Sequence, residues 1–163
     1  MPNHIRLCRD ADLPAVLAII NDAAQAYRGV IPPDRWHDPY MPESELRQEI
    51  AAGVTFWGCE DDHRLSGVMG IQPVRDVDLI RHAYVRPGVQ RRGIGAALIA
   101  HLRGQSTRPM LVGTWAAADW AIAFYRRHGF ELVSAARRSE LLRIYWNIPQ
   151  RQADTSVVLA SKP

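Results

Sequence analysis

The sequence predicts an α/β or α+β fold, and three observations carry that expectation. Stretches with strand-like alternation take turns along the chain with stretches of helical spacing. Three strand-like stretches in succession, 55–59, 65–72 and 78–85, are separated only by polar turns, which is the pattern of an antiparallel meander. No repeat, low-complexity segment or Gly/Ser linker divides the 163 residues, a length suited to one core, so a single domain over 1–163 is expected.

The elements follow in order. Residues 4–8 alternate like a short strand. Residues 10–12 supply carboxylates that cap a helix running to Ala26, whose Leu13, Val16, Leu17 and Ile20 share a face and whose Pro14 sits in the tolerant first turn. Residues 30–42 hold Pro32, Pro33, Pro39 and Pro42 together with Trp36 and Tyr40. Such a stretch is too irregular for a helix or strand and too aromatic for a tether, so an ordered, ligand-facing loop is expected. A short helix over 43–52 precedes the meander. Beyond it the pattern predicts a helix over 93–103, a strand over 110–114, a helix over 118–128, a strand over 130–133, a helical turn over 139–147 and a closing strand over 155–160.

Composition excludes several classes. At 47% apolar and 23% charged, the chain has the balance of a globular protein rather than a disordered or fibrous one. The longest apolar run, 94–102, is interrupted by His101 and is far shorter than the roughly 20 residues of a membrane span, so no membrane association is expected. The first ten residues contain Arg6, Arg9 and Asp10 and no apolar core of a secretory signal; the cytoplasm is the expected compartment. Cys8 and Cys59, without a CxxC pair, read as buried thiols, and His4, His37, His63, His82, His101 and His128 lack the spacing of metal ligands, so no metal is expected. The formal charge is +3, and Lys162 is the only lysine among 20 basic residues. Arginine suits phosphate because its planar fork donates paired hydrogen bonds, although scattered arginines also serve as a solvated surface.

The most informative segment is Gln90-x-x-Gly93-x-Gly95, which follows a strand ending in Tyr84-Val85 and opens an apolar helix. A helix start exposes unpaired N–H groups and the positive end of the macrodipole, and glycines there let an anion approach closely. Such glycines also serve plain turns and close packing. A dinucleotide fold would want GxGxxG with a later acidic residue, and a P-loop would want Gly-Lys-Ser/Thr; neither is present. The segment resembles the acetyl-CoA signature of the GNAT superfamily, Q/R-x-x-G-x-G/A after a strand. A second stretch, Ala121-Ile122-Ala123-Phe124-Tyr125-Arg126-Arg127-His128-Gly129-Phe130, is similar to that family's A-I-x-x-Y-x-x-x-G-F. The resemblance implies one mixed, mostly antiparallel sheet of six or seven strands flanked by helices, with a V-shaped splay between the fourth and fifth strands. It also implies acetyl-CoA as co-substrate. The pyrophosphate would lie on the backbone around Arg91, Arg92, Gly93, Ile94, Gly95 and Ala96, beside Gln90. The pantetheine arm would pair with Ala83, Tyr84 and Val85.

By the same resemblance Tyr125 protonates the departing thiolate, a general-acid role; read from the residues alone, a core tyrosine bonded to a carbonyl fits equally. The family's asparagine seven residues earlier is Ala118 here, and the glutamate it often carries six residues before the position of Val85 is Leu79. Imidazole titrates near neutrality, so His82 is the candidate base, with a water relay or a purely structural role as alternatives and Asp78 as a weaker candidate. The places that build the family's acceptor pocket supply Tyr27, Arg28, Trp36, Tyr40 and Trp115, together with Trp146. These suggest a compact amphipathic acceptor whose carboxylate Arg28 would hold, and core filling is the alternative for the rings. The expected activity is transfer of acetyl to the primary amine of a small molecule, such as an amino acid or an amino-acid-like compound. Alternatives are a protein N-terminus or lysine as acceptor, and a catalytically silent acyl-CoA-binding module. A nucleic-acid partner is not expected, since charged tRNA is suggested only by the basic charge. A homodimer is left open.

Overall fold

The computed structural model describes residues 4–90 and 92–162. Seven strands form one sheet: β1 (His4–Leu7), β2 (Thr55–Asp61), β3 (Arg64–Val74), β4 (Val77–Val85), β5 (Met110–Trp115), β6 (Phe130–Leu132) and β7 (Ser156–Ser161). Six helices accompany them: α1 (Leu13–Ala24), α2 (Glu43–Ala51), α3 (Ile94–Gln105), α4 (Asp119–Arg127), α5 (Ala135–Tyr145) and α6 (Gln150–Asp154). The strand order is β1-β2-β3-β4-β5-β7-β6, and every neighbouring pair is antiparallel except β4 with β5. This is the expected mixed, open sheet.

The central strands are covered on both faces, which is why β4 starts with four buried residues in a row rather than alternating. One face packs Ile80, Met110, Val112 and Leu159 against Leu98, Ile99 and Leu102 of α3 and Tyr125 of α4. On the other face, α1 and α2 bury Val16, Ile19, Ile20 and Leu46 against Phe56 and Val68. Further along that face, Leu141 and Leu142 of α5 cover Leu79, Leu111 and Val158. Each such side chain contributes about 1.5–3 kcal/mol when removed from water.

The structure departs from the sequence expectation in three places. Helix α1 is flanked by 3₁₀ turns, Asp10–Asp12 before it and Gln25–Tyr27 after it, rather than continuing to Ala26. Asp12 does not cap the helix through its side chain. Its carboxylate instead receives Arg6 through two bonds of 2.8 and 2.9 Å and the Arg9 N–H at 2.7 Å. The helical turn expected over 139–147 is the longer α5, started by Ser134, whose hydroxyl accepts from the Arg137 N–H at 3.2 Å. Helix α6 has five residues, too few for a helical period to show in the sequence.

Arg6 also donates to Glu60 at 2.6 Å, so one guanidinium ties β1, the turn into α1 and β2 together. Next to this cation the Asp12 carboxyl falls from its ordinary 3.8 to about 2, the hydrogen bond from Arg6 being the largest cause. A carboxyl with a lowered folded-state pKa stabilises the fold above its unfolded value, and that stability is lost as pH falls toward the folded value. Asp12→Asn is therefore expected to cost about 1–2 kcal/mol near neutrality. Urea unfolding at pH 7 and pH 2.5 checks it: the gap between variant and wild type narrows at the lower pH.

Candidate functional site

Strands β4 and β5 pair only from Asp78 with Met110 to Ile80 with Val112, and both then continue without each other, to Val85 and Trp115. β4 stays bonded to β3 as far as Val85, and β5 stays bonded to β7 as far as Trp115. The parting therefore opens a V whose inner backbone edges lack sheet partners, and such edges bind other hydrogen-bonding groups. A cleft of about 700 Å³ occupies it.

At one end of the cleft is the start of α3. Gly93 takes φ of 78°, a left-handed conformation that costs any other residue except asparagine or aspartate dearly, and nothing lies within 4 Å of where its Cβ would be. No side chain caps the helix, whose first internal bond runs from the Ala97 N–H to Gly93 O at 2.9 Å, so among the described residues the amides just before Ala97 have no backbone partner and suit an anion. Gly95 has a different reason: a Cβ there would sit 3.1 Å from the Phe124 ring, so the glycine lets α3 and α4 pack closely. Gln90 donates to Val85 O at 3.2 Å and closes the turn between strand and helix. Ala83, Tyr84, Val85, Gln90, Gly93, Ile94, Gly95 and Ala96 all line the cleft. Arg92 is exposed, and Arg91 lies outside the described residues.

Tyr125, on the last turns of α4, is 6% exposed, with its ring edge-on to Phe124 and Phe130. Its hydroxyl has no hydrogen-bond partner among the described residues. Nor is it sealed off, since Arg138 Nε is the one side-chain polar atom there that is both buried and unpartnered. The free hydroxyl thus faces the open cleft that the residue lines. Burial pushes it well above the ordinary phenol value, with nearby Tyr27 adding to the effect, so it stays protonated and available as a donor. Burial likewise raises Tyr27 and Tyr84, and lifts Tyr40 to about 12. These four tyrosines of the cleft wall are therefore polar but uncharged.

His82 sits at a bulge: Val68 pairs with Tyr84 and Gly70 with Arg81, leaving His82 and Ala83 opposite Met69 alone. Its φ of 54° is the left-handed value that a side-chain-bearing residue adopts only when its surroundings impose it. Bulges re-aim side chains. Here the ring stacks on Phe56 at 6.1 Å, lines the cleft, and meets Glu49 of α2 with Nε2 2.7 Å from Oε1. Arg81 donates to the same Glu49 oxygen at 2.7 Å and to Gln72 at 3.0 Å. Burial alone would raise the Glu49 carboxyl, but the His82 hydrogen bond and the charges of His82 and Arg81 outweigh it and hold it below its ordinary value. Glu49 escapes sequence reasoning because it is 33 positions from His82 on a helix that reads as a solvated charged face. Asp78, the weaker base candidate, is bonded to Ser106 at 2.6 Å near the closed end of the sheet, and it does not line the cleft.

Of the expected acceptor-pocket residues, Tyr27, Tyr40 and Trp115 line the cleft, as does Trp146. Trp36 stacks on Tyr40 at 5.7 Å and lines a neighbouring recess instead, while Arg28 is exposed and on neither wall. The loop carrying Trp36 and Tyr40 is held by two Asn21–Met41 bonds of 2.7 and 3.0 Å and by Trp115 Nε1–H donating to the Tyr40 hydroxyl at 3.0 Å. Ala118, fully buried, packs into the same aromatic cluster. Trp120, which sequence reasoning did not single out, extends the cluster by stacking on Tyr27 at 5.9 Å. Among the described residues, no three His, Cys, Asp or Glu side chains converge to hold a metal ion, and no helix is long and apolar enough to cross a membrane.

Comparison with known proteins gives a consistent result. The model of the family described as "Acetyltransferase (GNAT) domain" matches residues 52–132. The chain is 28% identical over 142 residues, 87% of its own length and 92% of the relative's, to the peptidyl-lysine N-acetyltransferase YiaC of Escherichia coli strain K12. Its fold is similar to that of the PaiA N-acetyltransferase of Thermoplasma acidophilum, solved in complex with coenzyme A, with a TM-score of 0.75 and 15% identity over the whole of both chains. It is similar also to the ribosomal-protein-S18-alanine N-acetyltransferase of Escherichia coli, with a TM-score of 0.68 and 19% identity over 98% of this chain and 93% of that one.

The bulge is backed by Gly70, where a Cβ would lie 2.7 Å from Arg81 O, 3.0 Å from Val54 and 3.2 Å from Phe56. Gly70→Ala is expected to push β4 away at Arg81, destabilise the protein by about 1–3 kcal/mol and move His82 from its place. Thermal unfolding and a crystal structure of the variant check both effects.

Proposed function

Since the chain belongs to the GNAT superfamily and is an N-acetyltransferase, we propose that it carries acetyl from acetyl-CoA to the primary amine of a small molecule, an amino acid or an amino-acid-like compound, by direct attack. The observation that carries this reading is the unpartnered Tyr125 hydroxyl, open to a cleft that joins the uncapped start of α3 to His82. The residues present fit the co-substrate. The free amides of the α3 start suit a pyrophosphate, and the unpaired edge of β4 over Ala83, Tyr84 and Val85 suits the amides of a pantetheine arm.

Acetyl-CoA supplies an acyl group already activated as a thioester, so the protein's share is placement and proton management. Holding an amine about 3–3.5 Å from the acyl carbon removes much of the barrier by proximity alone. His82 takes the proton that the amine nitrogen loses as the C–N bond forms. Tyr125, kept protonated by its burial, donates to the sulfur as the C–S bond breaks. The uncharged tyrosine wall suits an amine that must be neutral to attack.

The acceptor end favours a compact amine. Its wall of rings, Tyr27, Tyr40 and Trp115, suits a compact, amphipathic acceptor. A lysine side chain of a protein is the second reading, favoured by the likeness to a peptidyl-lysine N-acetyltransferase.

Calorimetric titration with acetyl-CoA, followed by thiol release against amines, amino acids and lysine peptides, tests the proposal. Turnover with free amines and not peptides supports the first reading, and the reverse supports the second. Tyr125→Phe is expected to lower kcat by about 10²-fold while leaving acetyl-CoA affinity unchanged. A Phe variant with full turnover removes Tyr125 from the mechanism.

A further inference from the structure

Three observations converge on a residue that the sequence did not single out. First, Glu49 Oε1 and His82 Nε2 are 2.7 Å apart, and that is the one hydrogen bond His82 makes among the described residues. Second, among the described residues His82 Nδ1 has no partner and is not one of the sealed unpartnered atoms, and His82 lines the cleft. Third, the backbone holds His82 in a left-handed conformation at a bulge, an arrangement that serves to aim its ring. A carboxylate can only accept a hydrogen bond, so the imidazole must put its proton on the nitrogen that faces Glu49. The lone pair is then on the other nitrogen.

We propose that Glu49 is a positioning residue for the acetyl-transfer step: by accepting from His82 Nε2–H it fixes the tautomer and orientation in which Nδ1 is the base that faces the acceptor amine. The proposal rests on the function inferred above and names the group that makes His82 competent. As the C–N bond forms, the amine proton passes to Nδ1. As the C–S bond breaks, Tyr125 gives its proton to the sulfur. The imidazolium then returns a proton through solvent to the tyrosinate, so the protein ends as it began and the products are amide and free thiol. Glu49 stabilises the imidazolium while it lasts, in the way a carboxylate behind a catalytic histidine does elsewhere.

Arg81 is part of the device. It donates to the Glu49 oxygen that meets His82 and is anchored by Gln72 at 3.0 Å, so the carboxylate is held from two sides. Against the upward pull of burial, the His82 hydrogen bond and the neighbouring Arg81 charge hold the Glu49 carboxyl below its ordinary value, so it is ionised at neutral pH, the state that enforces the tautomer. The apolar Phe56 ring backs the imidazole against the opposite displacement.

The test has two arms. In nitrogen-resolved NMR of the wild-type protein, the His82 ring is expected as the Nε2–H tautomer, a readout that needs no variant and no turnover. In kinetics, Glu49→Gln, whose neutral amide can donate as well as accept, is expected to lower kcat by about 10²-fold with an unchanged KM for acetyl-CoA. In a His82→Ala background the same substitution is expected to cost nothing further, whereas a merely structural Glu49 would impose its loss in both backgrounds. A wild-type His82 protonated on Nδ1, or a Glu49→Gln enzyme with undiminished kcat, overturns the Glu49 assignment and leaves acetyl transfer standing. A wild-type protein that releases no thiol with any amine overturns the function and the base role together.

Discussion

The parting of β4 from β5 after Ile80 and Val112 is the constraint on which the rest of the structure depends. It is stable because neither strand is abandoned: β3 satisfies the outer edge of β4 to its end, and β7 does the same for β5. Each arm of the V keeps one full ladder, so only the inner edges go unpaired, and these are the edges a ligand can satisfy. The insertion of β7 between β5 and β6 is thus more than a topological detail. Without it, the far half of β5 would have no partner on either side and the cleft would have only one rigid wall.

The two ends of the cleft solve opposite problems. At the α3 end it is the backbone that lies open, and the sequence supplies absence: no side chain at Gly93, no cap on the helix, no acidic residue in the first turn. At the other end the proposed acid and base are side chains, and each is fixed in direction. Tyr125 is fixed by aromatic packing on Phe124 and Phe130. His82 is fixed by a bulge, a stacked ring and an ion-paired carboxylate, three devices from four different elements. Strain at His82 is tolerable because β3 and α2 over-determine its place.

The proline-rich loop shows how an irregular segment can be as ordered as a strand. Its polar groups are answered by Asn21 from α1 and its rings by Trp115 and Tyr27, so the loop is part of the core on one side and a wall of the cleft on the other. Trp115 contributes to both, donating to Tyr40 while it ends β5.

The glycine turn, the order of the meander, the helix carrying Tyr125 and the aromatic character of the loop were all legible in the sequence, because each is written in residues adjacent or one helical turn apart. The family resemblance added the splay and the co-substrate. What the sequence left unread is what depends on contacts across long separations. Arg28 and Trp36, chosen by position in the chain, are turned away from the main cleft, since a loop's path is set by what it packs against. Asp12 serves Arg6 rather than the helix it precedes, because a guanidinium offers a carboxylate two charge-assisted bonds that backbone amides do not match. Glu49 looked like any exposed helix charge until α2 folded over β4. The sequence by itself determined the glycine turn that opens α3 and marked Tyr125 and His82 as the candidate acid and base. Only the tertiary structure decided which carboxylate stands behind His82, because local spacing encodes conformation while the meeting of α2 with a bulge 33 residues away is fixed by the packing of the whole sheet.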